Sequence, residues 1–277
     1  MKFQYFGPAA AEGWPALFCT CDNCRRAAKA GGRNLRTRSQ AAVDDKLLID
    51  FPADTLAHMY YGGLDLPRIR DCIITHSHSD HLYPADLEMR LDGYAIPGDD
   101  RPLVFYATKE AAPGILEMLE KCGLIKQNRV LFQEIRPFEP FEAAGYTVTP
   151  LPANHDPASG PVFFLIEDGE KSLLYANDTG WFPEETWEWL EQHGPHLDFV
   201  SLDCTAGLLT GWRNGHMGLD TAMEALTRLR HMGLTDDATA ACLHHFSHNG
   251  GATYDELVPI AAEQGLLVAY DGMTVAI

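Results

Sequence analysis

Ten short apolar runs span the chain of 277 residues: FQYFG, KLLID, DCIIT, LVFYA, YTVTPLP, VFFLIE, SLLYAN, DFVSLD, TAACL and GLLVAY. Each is flanked by Gly, Pro, Asp or Asn, so each reads as a strand, because a helix needs a longer stretch of 3.6-residue periodicity. Helical patterns separate some of them, namely PGILEMLEKCG, PEETWEWLEQHG, LDTAMEALTRLRHMG and TYDELVPIAAEQG. Each closes at Gly, the residue that most readily adopts the left-handed conformation ending a helix. Early strands are expected to pair as hairpins and later ones to alternate with helices. That mixture predicts an α/β protein of stacked sheets covered by helices, rather than one doubly wound sheet. No repeat, low-complexity tract or long linker interrupts the pattern, and one domain over residues 1–277 is expected.

Charge narrows the partners. Acids outnumber bases 39 to 21, giving a net charge of -18, which opposes a long polyanion such as nucleic acid. No apolar stretch approaches the roughly 20 residues of a membrane span. The opening MKFQYFGPAAAEG has neither the charged start nor the apolar middle of a signal peptide. A cytoplasmic protein with no membrane partner is expected. Seven cysteines make an odd count, and Cys19, Cys21 and Cys24 crowd into CTCDNC. Cys72, Cys122, Cys204 and Cys242 lie among apolar neighbours and are expected to be small buried hydrophobes rather than a disulfide framework.

The densest chemistry follows one strand. In IITHSHSDHLYP, residues 73–84, the run DCIIT leads into a tight loop carrying His76, His78, Asp80 and His81. Imidazoles and carboxylates this close in sequence can serve two neighbouring cations without closing a long loop. Further ligands are needed, and ligand-type residues stand at equivalent places. His155 follows YTVTPLPAN, Asp178 follows SLLYAN, and His245 follows TAACLH. Four strand ends bearing such residues would meet at one edge of a layered structure. PANHDP and NDTG are also ordinary turn sequences, where Asn and Asp are common for backbone reasons. In ACLHHFSHNGG, alternation sends His244 and His245 to opposite sides; His245 is preferred because it makes H-x-x-H with His248.

The H-x-H-x-D-H segment, with the later His, Asp and His, resembles the metallo-β-lactamase superfamily. The resemblance implies a four-layered αβ/βα sandwich with a one- or two-metal centre. It places His76, His78 and His155 on one cation, Asp80, His81 and His245 on the other, and Asp178 as the bridge. FGPAAAEGWPALFCTCDNC and THSHSDH further resemble the branch containing the cyclic phosphate phosphodiesterase of the carbon-phosphorus lyase pathway. In that branch a C-x-C-x-x-C and a histidine three residues beyond the last active-site histidine hold a structural zinc. Here those residues are Cys19, Cys21, Cys24 and His248, with a redox or fortuitous cysteine cluster as the alternative.

The resemblance implies a dinuclear phosphodiesterase whose two divalent ions, zinc or manganese, share a hydroxide that attacks a small phosphate ester, cyclic esters included. Superfamily phosphodiesterases place a non-ligand catalytic histidine where this chain has His216, in LTGWRNGHMGLD, so His216 is the candidate general acid; Asp80 is grouped with it as catalytic. Within Arg25–Arg38 the segment RRAAKAGGRNLRTR carries six cations and no acid. Arg36 and Arg38 there, and Arg213 near His216, are candidate phosphate-binding residues, since Arg grips phosphate bidentately, although a solvated helix face accounts for most such runs. The alternatives are a lactone, thioester or β-lactam hydrolase, or a non-catalytic metal-binding carrier of cofactor biosynthesis. A homodimer is left open.

Overall fold

The computed structural model describes residues 1–277 and contains two seven-stranded mixed sheets. The first collects β1 (Lys2–Gly7), β2 (Gln40–Val43), β3 (Leu47–Ile49), β4 (Asp71–Ile73), β5 (Leu103–Ala107) and β6 (Val130–Glu134) in sequence order. The second runs through β7 (Phe141–Ala143), β8 (Tyr146–Pro152), β9 (Val162–Glu167), β10 (Ser172–Ala176), β11 (Phe199–Asp203), β12 (Ala240–His244) and β13 (Leu267–Val268). The C-terminal β14 (Thr274–Ala276) crosses back to pair with β1. Helices α1 (Asp22–Ala30), α2 (Thr55–Tyr61), α3 (Ala112–Cys122), α4 (Glu184–His193), α5 (Leu219–His231) and α6 (Tyr254–Ala262) complete the fold.

Side-chain alternation makes the layers. On the first sheet, Phe3, Tyr5, Leu47, Ile49 and Ile73 point into the larger core, which they share with the second sheet. Their neighbours Phe6, Leu48, Cys72 and Ile74 point the other way, into a smaller core closed by Ile115 and Leu119 of α3. The second sheet is covered by α4 through Trp187 and Leu190, by α5 through Ala225 and Leu229, and by α6 through Leu257. A period of two on each strand against a period near four on each helix thus yields the α/β/β/α order expected of the sandwich. Every strand and helix read from the sequence is present, although GLLVAY contributes only two strand residues. The two-residue β13 pairs with β12 alone, at the edge of the second sheet. No helix is long and apolar enough to cross a membrane.

The topology also fixes where chemistry collects. β4 runs parallel to β3 and β5, and β10, β11 and β12 run parallel to one another. β8 is antiparallel to β9, which is antiparallel to β10, so β8 shares the direction of β10. The exits of these strands therefore lie along one edge, where the two sheets meet. Asp50, Asp178 and His245, just past β3, β10 and β12, take positive φ values of 67°, 47° and 60°. Left-handed backbone is costly for residues with a Cβ and is held only where the surroundings over-determine it.

Candidate metal centre and active site

The loop after β4 and the ends of β8, β10 and β12 bring the predicted residues together. His76, His78, His155 and Asp178 form one group, and Asp80, His81, Asp178 and His245 a second, with the ligand atoms of each within 4.8 Å of one another. Asp178 belongs to both. Its Oδ2 lies 3.2 Å from His76 Nε2, 2.8 Å from His81 Nε2 and 4.0 Å from His155 Nε2, while its Oδ1 lies 3.2 Å from His245 Nδ1.

The outer contacts of the rings show which nitrogen faces inward. His76 Nδ1 is engaged by Thr75 Oγ1 at 3.0 Å, and His81 Nδ1 by Asp50 Oδ2 at 2.7 Å. His155 Nδ1 donates to the Gly215 carbonyl at 3.1 Å, and His78 Nε2 meets Asp156 Oδ2 at 3.4 Å. The remaining nitrogens converge, with His78 Nδ1 3.1 Å from His155 Nε2 and His81 Nε2 3.3 Å from His245 Nε2. An outer acceptor that fixes the tautomer while the other lone pair points at a common centre is the usual setting of a metal-ligating histidine. His76 Nε2 and Asp178 Oδ1 are buried without a hydrogen-bond partner, although other polar atoms lie in contact. Orphaned donors and acceptors of this kind, in a set of imidazoles and carboxylates, fit divalent cations.

Electrostatics point the same way. Burial opposes charge on His81, yet Asp80, Asp50 and Asp178 outweigh it and hold the imidazole pKa well above its ordinary value. Burial likewise opposes charge on His245, but Asp178 and Asp203 lift it to about 9. His76 has less carboxylate support, and burial together with the neighbouring His81 charge lowers it to about 4. For Asp178, His245 and His81 overcome burial and keep the carboxyl ionised far below the usual range. The protein alone balances its buried carboxylates with protons on imidazoles, and cations would supply the same positive charge.

A third group joins Asp178 and His245 to Asp203, the last residue of β11, and His216 of the segment that follows it. His216 Nδ1 lies 3.1 Å from both Asp178 Oδ1 and Asp203 Oδ2. Burial works against its charge, but Asp203 raises its pKa to about 10. The segment packs tightly on the turn at residues 248–250. A Cβ on Gly207 would lie 2.4 Å from the Gly250 carbonyl oxygen, so this approach requires glycine.

Besides Thr75 and Asp156, three residues engaged here were not picked out from the sequence. Asp50 anchors His81. Asp203 orients His216, and Thr205 Oγ1 touches His245 Nδ1 at 2.8 Å. Asp50 and Asp203 each stand at a strand end, the same signal that marked Asp178.

His244 faces the opposite side of β12. Its Nδ1 meets Ser201 Oγ at 2.9 Å and the Leu202 carbonyl at 3.1 Å, so of the histidine pair it is His245 that enters the cluster. Cys19, Cys21, Cys24 and His248 also converge, with His248 Nδ1 3.3 Å from Cys21 Sγ and 3.7 Å from Cys19 Sγ. Cys21 caps α1, accepting from the Cys24 backbone N–H; that bond, then His248, pulls its thiol down to about 6. Three thiols and an imidazole suit a tetrahedral zinc. Of the dispersed cysteines, Cys72, Cys204 and Cys242 are buried and Cys122 is half-buried.

The three arginines are engaged elsewhere, and none lines the pocket above the cluster. Arg36 is buried, 4.0 Å over the Phe246 ring and 5.2 Å from the Trp14 ring. Arg38 grips Asp54 through its backbone N–H at 2.8 Å, Nε at 3.0 Å and Nη2 at 2.9 Å. Arg213 pairs with Glu224 and lies over Trp181.

Comparison with known proteins agrees with the family and the fold. The family model for the β-lactamase superfamily domain matches residues 47–246. Zn(2+)-bound PqqB from Methylobacterium extorquens is 23% identical with a TM-score of 0.71, the match covering 100% of both chains. A diphosphatase from the PhnP family is 20% identical with a TM-score of 0.73, covering 100% of this chain and 97% of that one. The short form of human tRNase Z is 16% identical with a TM-score of 0.63, covering 100% and 99%. At these identities the likeness is one of fold. No curated protein matches the chain by sequence.

Proposed function

Given that the chain belongs to the metallo-β-lactamase superfamily, whose members are metal-dependent hydrolases, we propose that it is a dinuclear phosphodiesterase acting on a small phosphate ester, cyclic esters included. In this reading His76, His78 and His155 would hold one divalent cation and Asp80, His81 and His245 the other, with Asp178 within reach of both. Zinc or manganese would suit these sites, and the cysteine cluster with His248 would hold a structural zinc. When bound, such cations polarise a phosphoryl oxygen and acidify water.

The observation that carries the reading is the seat of His216. Its Nδ1 hydrogen-bonds Asp203 Oδ2 and lies 3.1 Å from Asp178 Oδ1, which leaves Nε2 as the nitrogen able to deliver a proton. An alkoxide leaving a phosphodiester needs that proton as the P–O bond breaks and water oxygen bonds to phosphorus; the proton passes from Nε2 to the departing oxygen, and the one released by the attacking water restores His216 through solvent. Asp203 holds the ring and favours its charged form. The pocket above the cluster has a volume of about 180 Å³, which supports a small substrate. The fold shared with a PhnP-family diphosphatase adds support for phosphate chemistry, and the net charge of -18 weighs against the nucleic-acid substrates of a tRNase.

The test is turnover of bis-p-nitrophenyl phosphate by the full chain loaded with manganese or zinc. Release of p-nitrophenolate, abolished by chelator and restored by metal, is expected. Hydrolysis of lactones or thioesters with no attack on the diester would overturn the reading.

A further inference from the structure

We propose that Glu12 sets the charge preference of the substrate pocket, rejecting esters with a second anionic group beside the scissile phosphate and favouring those with a cationic or hydrogen-bond-donating group there. This inference rests on the phosphate-ester reading and specifies the substrate. Apart from the residues of the metal and His216 clusters, Glu12 is the sole charged side chain lining the pocket, and no Lys or Arg lines it. Its side chain is 29% exposed, against 3% for Asp178, which places the carboxylate at the mouth rather than the floor. A substrate whose phosphate sits on the floor must pass its remaining part by this carboxylate.

The carboxylate is held in place. Ala10 N–H donates to the Phe246 carbonyl at 3.0 Å and Phe246 N–H to the Pro8 carbonyl at 2.8 Å, so the loop bearing Glu12 is laced to the residue after His245. Ser247 Oγ donates to Glu12 Oε1 at 2.5 Å, and His248 Nε2 stands 3.7 Å from the same oxygen. Both contacts engage Oε1, leaving Oε2 for a ligand. The Ser247 hydroxyl, a donor in the pocket wall that could have met an anion, is spent on Glu12. A fixed negative charge in a partly desolvated mouth discriminates by repulsion as well as attraction.

The test uses two probes with one phosphonate head and opposite flanks, 2-aminoethylphosphonate and 2-carboxyethylphosphonate, titrated calorimetrically into the metal-loaded full chain. The amino compound is expected to bind at least about tenfold more tightly, a difference of about 1.4 kcal/mol. Glu12→Gln, which still accepts from Ser247, should bring the two within about threefold, and Glu12→Lys should invert the order. Equal affinity in the natural chain, absence of binding by both probes, or an unchanged ratio in Glu12→Gln overturns the proposal. Turnover of bis-p-nitrophenyl phosphate is scored separately, so a phosphodiesterase without this charge preference would sink the role of Glu12 and leave the activity standing.

Discussion

Asp50 offers a sharp test of how the centre is held, because it is fully buried and touches no candidate substrate position. Its Oδ1 accepts from Thr75 N–H at 2.8 Å and Thr75 Oγ1 at 2.9 Å, and its Oδ2 meets His81 Nδ1 at 2.7 Å. In Asp50→Ala the Thr75 N–H is left buried without an acceptor, and His81 Nδ1 keeps only the weaker contact with Thr75 Oγ1 at 3.3 Å. At about 1–3 kcal/mol for an orphaned donor, the metal-free protein should lose about 1–3 kcal/mol of stability. Loss of the outer partner of a ligating histidine typically lowers metal affinity about 10–100-fold. That loss should be larger for the cation of Asp80, His81 and His245, because Asp50 meets His81 directly and His76 only through Thr75 Oγ1. Chelator competition with a chromogenic indicator reads the two affinities, and denaturant unfolding in excess chelator reads the stability. Asp50→Asn, which keeps one acceptor, should fall between. If Asp50→Ala keeps its stability within about 0.5 kcal/mol and both metal affinities unchanged, the anchoring argument is refuted.

The other predictions are briefer. His216→Ala should slow hydrolysis of an alkyl diester about 10²–10⁴-fold while sparing a p-nitrophenolate leaving group, with metal content intact; equal losses would make His216 a positioning residue. Cys21→Ser should release one zinc and lower the unfolding midpoint, since structural zinc binding is coupled to folding; selective loss of activity at unchanged stability would refute a structural cluster. Burial, opposed by hydrogen bonds from Thr37 and by the Arg36 charge, pushes Asp271 up to about 7. Its contribution to stability is therefore full below about pH 4, the unfolded carboxyl value, and is lost as pH rises through 7. Asp271→Asn should flatten that decline between about pH 4 and 7 in denaturant melts, and an unchanged slope would exclude Asp271 as its source.

The strands that sequence reading found have large apolar side chains, but β6 was missed although VLFQE has them too: it is a sheet-edge strand that ends on the exposed Gln133 and Glu134. β2 was not visible because QAAV is buried through small side chains and a glutamine, with little of the bulk that marks a strand. Gln40 is in fact a buried connector, donating to the Asp50 carbonyl at 2.9 Å and meeting His58 Nδ1 at 2.6 Å. β7 is a three-residue hairpin partner of β8, and β14 is a three-residue strand added by the C-terminus to the far sheet. Such strands are defined by the neighbour they pair with, which no local pattern shows. α1 lay within the cationic segment, whose charges gave an argument about phosphate but none about helix; its cap is the thiol of Cys21.

The arginines and the aspartates diverge for a common reason. A cation in sequence says that charge must be neutralised or solvated, but not by whom. Arg38 found Asp54, Arg213 found Glu224, and Arg36 is enclosed by aromatic rings. Nothing local to RRAAKAGGRNLRTR names those partners. A carboxylate or imidazole at the end of a buried strand is more constrained, because the sheet fixes its position and the edge fixes its neighbours. Asp50, His76, Asp178, Asp203 and His245 all obey that rule, following β3, β4, β10, β11 and β12 or closing them. Applied to every apolar run rather than to the ligand set alone, the rule picks out KLLID and DFVSLD as readily as SLLYAN. The outer acceptors of His81 and His216 were thus within reach of the sequence, whereas Glu12 was not: it lies on an irregular loop, and its place at the pocket mouth depends on backbone bonds to Phe246, more than two hundred residues away.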